Sequence, residues 1–349
     1  YSLYLWHWPL LAFAQYLTVS GESRPPLSVR LILILTALIL AWISWRWVET
    51  PFRRKTILKT RRSVFVMGMV TSFLFIGLGL TMIKFQGLPA RMPEAALKYA
   101  QGSQDKDDSF TWTGLEAASQ GQFPHMGSSE TSVRLMLWGD SHARSLLPAM
   151  EALCQEHGVS GEAAIFSATA PTVGFYRRSR HGLNERTEEL AQAVLKRVKE
   201  KAIPYVVLTA YWMECPGQET EKFGDALIET VRLLKAAGAE VWLVLDVPTQ
   251  PFNVPKALAL GQLPGGFLPD PTSASTSLEQ HQKSNAVMLA LLPGLQAAGA
   301  KILDPATMMQ TPGDKTMIEM DGHSLYSDSH HLSITGALRL KPLFAPLFP

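Results

Sequence analysis

The chain has 349 residues, 32 Lys and Arg against 30 Asp and Glu for a formal net charge of +2, and 47% apolar residues. That balance supplies no bulk positive field for nucleic acid, and two cysteines, Cys154 and Cys215, fit no zinc-ligand spacing. The length allows two domains, and the apolar residues are unevenly placed: long apolar runs fill the part before about residue 85, and an ordinary globular pattern follows.

From Tyr1 to Gly21 no Asp, Glu, Lys or Arg occurs, and His7 is the ionisable exception. From Leu31 to Ser44 the run is almost pure Leu, Ile and Ala; it starts near Pro26 or Val29 and continues to Trp47 around Arg46. Ser63 to Ile83 carries no charge between Arg62 and Lys84. A bilayer core needs roughly 20 apolar residues as a helix, so three membrane helices are predicted. The basic residues between the first and second runs are Arg24 and Arg30. Those between the second and third are Arg46, Arg53, Arg54, Lys55, Lys59, Arg61 and Arg62. Positive charge stays on the cytoplasmic side, which puts residues 46–62 inside, residues 19–30 outside, and everything after Lys84 outside the cytoplasm. The run at Tyr1 has neither an initiating Met nor a basic leader, which argues against a signal peptide and predicts a C-terminal piece of a longer membrane protein. His7, between Trp6 and Trp8, is either part of an interfacial aromatic belt or a functional polar group in the bilayer. Arg46 and Glu49 are expected to anchor the cytoplasmic end.

Residues 86–131, rich in Gly, Ser, Gln and acids with scattered aromatics, read as a linker plus an extension that packs on the next domain. Beyond them come a strand at 133–138, a helix at 145–156, a strand at 163–166 and a loop at 167–182. A helix at 185–201 follows from the spacing of Leu190, Ala193, Val194 and Val198. A buried strand at 205–209, a helix at 223–237 closed by Gly238 and a strand at 240–247 come next. Residues 248–275 are Pro- and Gly-rich and read as a loop whose Phe252 and Phe267 are candidates for shaping an acceptor site. A helix at 278–298 closed by Gly299, a short strand at 301–303 and a helix from Ile334 capped by Ser333 complete the chain. Strands alternating with helices predict a parallel sheet covered on both faces, with ligands at the carboxyl ends of the strands.

Two short segments carry the chemistry. The first is Leu135-Met136-Leu137-Trp138-Gly139-Asp140-Ser141-His142-Ala143, an apolar strand running through Gly-Asp-Ser into a helix. The second is Tyr326-Ser327-Asp328-Ser329-His330-His331-Leu332-Ser333, which places an Asp three residues before a His. Together they supply a serine nucleophile, a base and a carboxylate to orient the base, the equipment for acyl transfer through an ester. At the start of a helix Ser141 is near amides that stabilise an oxyanion, although a capping serine is found in the same place. Gly139 permits the turn before the nucleophile, and Asp140 is expected to hold that turn. Tyr211 and Trp212 suit stacking on a sugar face or simple core packing. His142 and His323 have no partner at useful spacing and are assigned no role. The two cysteines form a disulfide if this part is exported, or stay apart as buried thiols.

The segments Tyr1-Ser2-Leu3-Tyr4-Leu5-Trp6-His7-Trp8-Pro9 and Trp47-Val48-Glu49-Thr50-Pro51-Phe52-Arg53 resemble the closing part of the acyltransferase-3 family. These are membrane proteins that move acyl groups to extracytoplasmic sugars, and many bacterial members carry a fused SGNH domain after one extra helix. The resemblance implies a remnant of the membrane domain at 1–62, an additional helix at 63–85, a linker at 86–131 and an SGNH domain at 132–349. The implied fold is a three-layer α/β domain with a central parallel sheet, preceded by three transmembrane helices. It further implies a catalytic set of Ser141, Asp328 and His331. His331 is favoured over His330 because the family's base stands directly before Leu-Ser, leaving His330 a solvent-facing neighbour. The family's oxyanion hole uses a second-block Gly, for which Gly174 is the candidate with Ala170 or its neighbours as alternatives. It also uses a third-block Asn, which Leu208-Thr209-Ala210-Tyr211-Trp212 lacks. The expected activity is O-acetyl transfer to a surface polysaccharide such as O-antigen. An esterase or a non-catalytic glycan-binding module are the alternatives. No cofactor or metal is expected on this part; acetyl-CoA is the donor for the whole protein. The upstream membrane domain, the acceptor polysaccharide and the lipid bilayer are its partners, nucleic acid is not, and the expected place is the bacterial inner membrane with the SGNH domain in the periplasm.

Overall fold

The computed structural model describes residues 1–17, 27–129, 131–263 and 270–348. It falls into two compact units, the first built mainly from Tyr1–Leu97 and the second from Lys98–Gly261 with Pro269–Pro349. The loop charge at Arg24 and the residue Phe267 lie outside the described residues.

In the first unit, Ser2–Leu17 and Leu27–Ser44 pack together. Small side chains at Ala37 and Ala41 are buried, and Ser2 Oγ donates to Glu49 Oε2 at 2.7 Å. The second helix continues to Arg53, and Trp45–Glu49 widen to a π-type turn just before Pro51. Pro51 has no N–H to give, and the wider turn is the kind of adjustment that carries a helix past such a residue. Arg61–Lys84 starts on a reciprocal cap, with Ser63 N donating to Thr60 Oγ1 at 3.2 Å and Thr60 N to Ser63 Oγ at 3.3 Å, and buries none of its side chains within the chain. Among the described residues, two helices are long and apolar enough to cross a membrane, Leu27–Arg53 and Arg61–Lys84. The first of the three expected spans is described as the apolar helix Ser2–Leu17, and residues 18–26, which follow it, lie outside the described residues.

The second unit is built on a six-stranded sheet of order β1-β3-β2-β4-β5-β6. The strands are β1 (His125–Gly127), β2 (Val133–Gly139), β3 (Ser160–Ile165), β4 (Tyr205–Thr209), β5 (Glu240–Val244) and β6 (Ala300–Leu303). All pairings are parallel except β1 with β3. The antiparallel edge lies in the stretch read as a linker plus a packing extension: His125 to Gly127 show no long apolar run, and β1 forms by pairing with β3. The boundary moves accordingly, for residues from Lys98 onward belong to this unit. Thr113 bridges to β3 with both its backbone and its side chain. A separate two-stranded ribbon pairs β7 (Glu319–Met320) with β8 (His323–Ser324).

Period-two alternation decides which core each side chain joins. Met136 and Trp138 of β2 pack with Val206 and Leu208 of β4 against Leu190, Val194, Phe223 and Leu227 from the helices Thr187–Lys201 and Thr220–Ala236. Leu135 and Leu137 are buried on the opposite face, where Ser141–Glu156 and Ile334–Arg339 lie against each other. Burial on both faces accounts for the unbroken apolar run of β2. The helix expected over 278–298 is two helices, Leu278–Ser284 and Ala286–Ala297. The break falls at Asn285, whose side chain donates to the His281 carbonyl at 3.0 Å. Both cysteines are free thiols.

β2 is the switch point of the sheet. The chain leaves it for β3 on one side and returns to β4 on the other, so a crevice opens at the carboxyl end of β2. There the strands close in until no side chain fits: a Cβ on Gly139 would lie 1.7 Å from the Thr209 carbonyl oxygen. We expect Gly139→Ala to destabilise the domain by roughly 3 kcal/mol or more, the upper range of overpacking, because the atom in the way is backbone. Denaturant unfolding of the variant beside Ala143→Gly measures it, and a loss under about 1 kcal/mol would show that the strands can part.

Candidate active site

The helix Ser141–Glu156 begins directly after β2, opened by Ser141 as expected, and Asp140 caps it. Asp140 Oδ1 accepts from the His142 amide at 2.8 Å and Oδ2 from the Tyr211 amide at 2.9 Å. One buried carboxylate therefore ties the turn after β2 to the turn after β4. Burial raises its pKa to about 6, against the pull of the Tyr211 and His142 amides and of His331.

On the other side of the crevice, Tyr326 and Leu332 pair across a tight loop. Inside it Asp328 Oδ1 accepts from the backbone amides of His330 at 2.9 Å and His331 at 2.8 Å. Asp328 Oδ2 lies 2.7 Å from His331 Nδ1, and His331 Nε2 lies 2.8 Å from Ser141 Oγ. Burial acts to raise the Asp328 pKa, but the His331 hydrogen bond and charge and the two amides outweigh it and hold the carboxyl well below its ordinary range. An ionised Asp328 accepts only, so Nδ1 of His331 carries a proton and Nε2 of a neutral ring is free to accept from the serine.

The structure thus brings Ser141, His331 and Asp328 into one hydrogen-bonded line, with Gly139 and Asp140 behind the serine. It does not bring Gly174 there. That residue is exposed at φ +76°, and its amide donates to Glu188 Oε2 at 2.7 Å, so the second-block assignment is corrected. Trp212 is also corrected: its side chain is fully buried, and its indole N–H donates to the Val244 carbonyl at 2.7 Å, out of reach of any sugar. Tyr211 is half-buried with its ring stacked on His142, centroids 4.5 Å apart at 12°, and on His330 at 4.8 Å and 14°. The cavity at Ser141 is not lined by Tyr211.

Three site residues were missed in the sequence. Asp246, just past β5, is buried and accepts from the amides of Trp212 at 3.0 Å and Met213 at 2.9 Å. It anchors the segment where the third-block Asn was expected; the signal was an acid at the end of a strand. Burial raises its pKa to about 8 despite the two amides, and the neighbouring Asp140 charge adds to the rise. His142, given no role above, is buried against Tyr211, His330 and His331, with Nδ1 3.9 Å from Asp246 Oδ1. Burial first, then the charges of His331 and His330, hold it neutral. His330 is no solvent-facing neighbour but a member of this stack, its pKa lowered by burial and by His331. Ligand atoms of His142, His330 and His331 lie within 4.8 Å of one another. The rings of His142 and His330 are stacked at 23°, however, so their in-plane lone pairs do not converge on one ion.

The folded Asp246 holds a proton that its unfolded counterpart, near 3.8, has released. The buried histidines act in the reverse sense below their ordinary 6.5. Between pH 6.5 and 8 the Asp246 contribution stands nearly alone and is lost as pH rises. Stability should fall there by on the order of 1–2 kcal/mol, and Asp246→Asn should flatten the slope. Urea unfolding of the full chain in detergent across that interval checks it; a slope that is unchanged in the variant would assign the proton elsewhere.

Residues 106–346 match the family described as "SGNH domain (fused to AT3 domains)". A segment of 55 residues, 16% of this chain, is 46% identical to O-acetyltransferase OatA of Staphylococcus aureus and spans 9% of that protein's length. The fold resembles that of the periplasmic domain of a lipopolysaccharide acetyltransferase from Salmonella ser. Paratyphi A. That likeness has a TM-score of 0.55 at 16% identity over 74% of this chain and 97% of that one.

Proposed function

The chain belongs to the family of SGNH domains fused to AT3 domains, and we propose that it transfers an acetyl group to a hydroxyl of a cell-surface polysaccharide through an ester on Ser141. The observation that carries this is the unbroken line from Asp328 through His331 to Ser141, at 2.7 and 2.8 Å. Ser141 Oγ attacks the acyl carbonyl carbon while His331 Nε2 takes its proton. The bond from that carbon to the leaving group breaks, and His331 returns the proton to the leaving group. A sugar hydroxyl then gives its proton to His331 and attacks the acyl-serine; Ser141 Oγ leaves and recovers the proton. Asp328 stays ionised throughout and stabilises the imidazolium. The Ser141 amide, at the N-terminus of its helix, is the donor we assign to the developing oxyanion.

The donor half of the reaction belongs on this reading to the membrane domain, which brings acetyl from cytoplasmic acetyl-CoA. The cavity at Ser141, about 180 Å³, is small beside the roughly 300–1,000 Å³ that enclose drug-sized ligands, and suits an acetyl group and one sugar ring rather than a whole coenzyme. The apolar helices and the basic residues at 53–62 support placing the SGNH unit outside the cytoplasmic membrane.

In detergent, the full chain should gain about 42 Da (one acetyl group) on Ser141 from p-nitrophenyl acetate. Ser141→Ala should lose the adduct, and His331→Ala and Asp328→Asn should slow its formation by roughly 10³–10⁴-fold. Intact-mass spectrometry reads the adduct. Labelling that persists in a folded Ser141→Ala variant would overturn the nucleophile, and an adduct that passes only to water with every glycan offered would make the protein an esterase.

A further inference from the structure

The cavity at Ser141 has a wall that the reaction does not use. Lys106, Asp107, Asp108 and Trp112 line it from the segment ahead of β1, and Arg144 lines it from the turn of helix that follows Ser141. Trp112 is 38% exposed, whereas the unit's other tryptophans, Trp138, Trp212 and Trp242, are 1%, 0% and 6% exposed. The fold therefore does not need Trp112 for its core. Its ring is nonetheless held in place: the Arg144 guanidinium lies 4.6 Å from the ring centroid. The same guanidinium donates to the Asp107 carbonyl at 3.2 Å and lies 3.6 Å from Asp108 Oδ1. Arg144 thus fixes the 107–112 segment to the helix that carries the nucleophile.

Resting on the reading of Ser141 as an acyl carrier, we propose that Trp112, Arg144, Asp107 and Asp108 form the subsite for the acceptor, and that the acceptor it takes is an uncharged pyranose ring. The charge on the wall balances, with Lys106 and Arg144 against Asp107 and Asp108. An anionic sugar would meet a carboxylate for every cation, whereas a neutral polyol finds both donors and acceptors. Trp112 supplies the flat apolar surface that a sugar's C–H face requires, and Leu332 extends it beside His331. A ring lying on Trp112 has its hydroxyls within the same cavity as Ser141 and His331, where the acyl group must pass.

The test reads binding directly, so it does not depend on turnover. The full chain in detergent is titrated calorimetrically with neutral tetrasaccharides of glucose and of N-acetylglucosamine, and with tetragalacturonate. The expected result is binding of a neutral tetrasaccharide over the uronate, weakened about tenfold in Trp112→Ala and restored to within about threefold in Trp112→Phe. Equal neutral-glycan affinity in wild type and Trp112→Ala, tighter binding of the uronate, or no binding of either glycan type would each overturn the proposal. Failure of the acyl-serine reading shows separately, as a missing mass adduct on Ser141, whatever the calorimetry gives.

Discussion

At their carboxyl ends β2 and β4 come so close that the Gly139 α-carbon faces the Thr209 carbonyl with no room for a methyl group. Gly139 is in register with Ile165 of β3 and Thr209 of β4, so it lies at the centre of the sheet where the chain changes sides. A residue with a side chain would push the strands apart and move the start of the next helix with them. With glycine there, Asp140 drops into position to cap the helix and to accept the Tyr211 amide, and Ser141 comes out at the edge. Ser141 is placed by a backbone contact two residues upstream, and the helix it opens in turn presents Arg144 to the cavity wall.

The loops around the serine are joined by buried carboxylates rather than by side-chain amides. Asp140 ties the β2 turn to the β4 turn, and Asp246 ties the β4 turn to the end of β5. Each takes two backbone amides, which an Asn, with one acceptor oxygen, does not do through the same atoms. The arrangement holds two acids in a water-poor region, where burial raises both pKa values. The adjoining rings of His142, Tyr211 and His330 form a stacked wall behind His331. Burial lowers the pKa values of His142 and His330, the two imidazoles beside His331.

The segment ahead of β1 is part of the domain and not a tether. Ile334, at the start of the last helix, bonds back to Asp105, whose carboxylate also takes the Thr335 amide and hydroxyl. The same segment seals one side of the crevice and carries Trp112. Its order comes from partners distant in sequence, as expected of an extension that packs on the domain.

Most of what was legible in the sequence is local. The apolar runs, the alternation of strands and helices, the glycine turn before Ser141 and the Asp-x-x-His spacing each depend on residues within a few positions of one another. Their physics is that of helix and strand periods, caps and short turns. Tertiary structure decided the rest: that His331 meets Ser141 across 190 positions, that Gly174 and Trp212 turn away, that Asp246 and His142 enter the site, and that β1 and Trp112 join the domain. Those placements are set by how strands from separate parts of the chain pair and which buried polar groups then find partners, and a sequence read along its length carries no local mark of either.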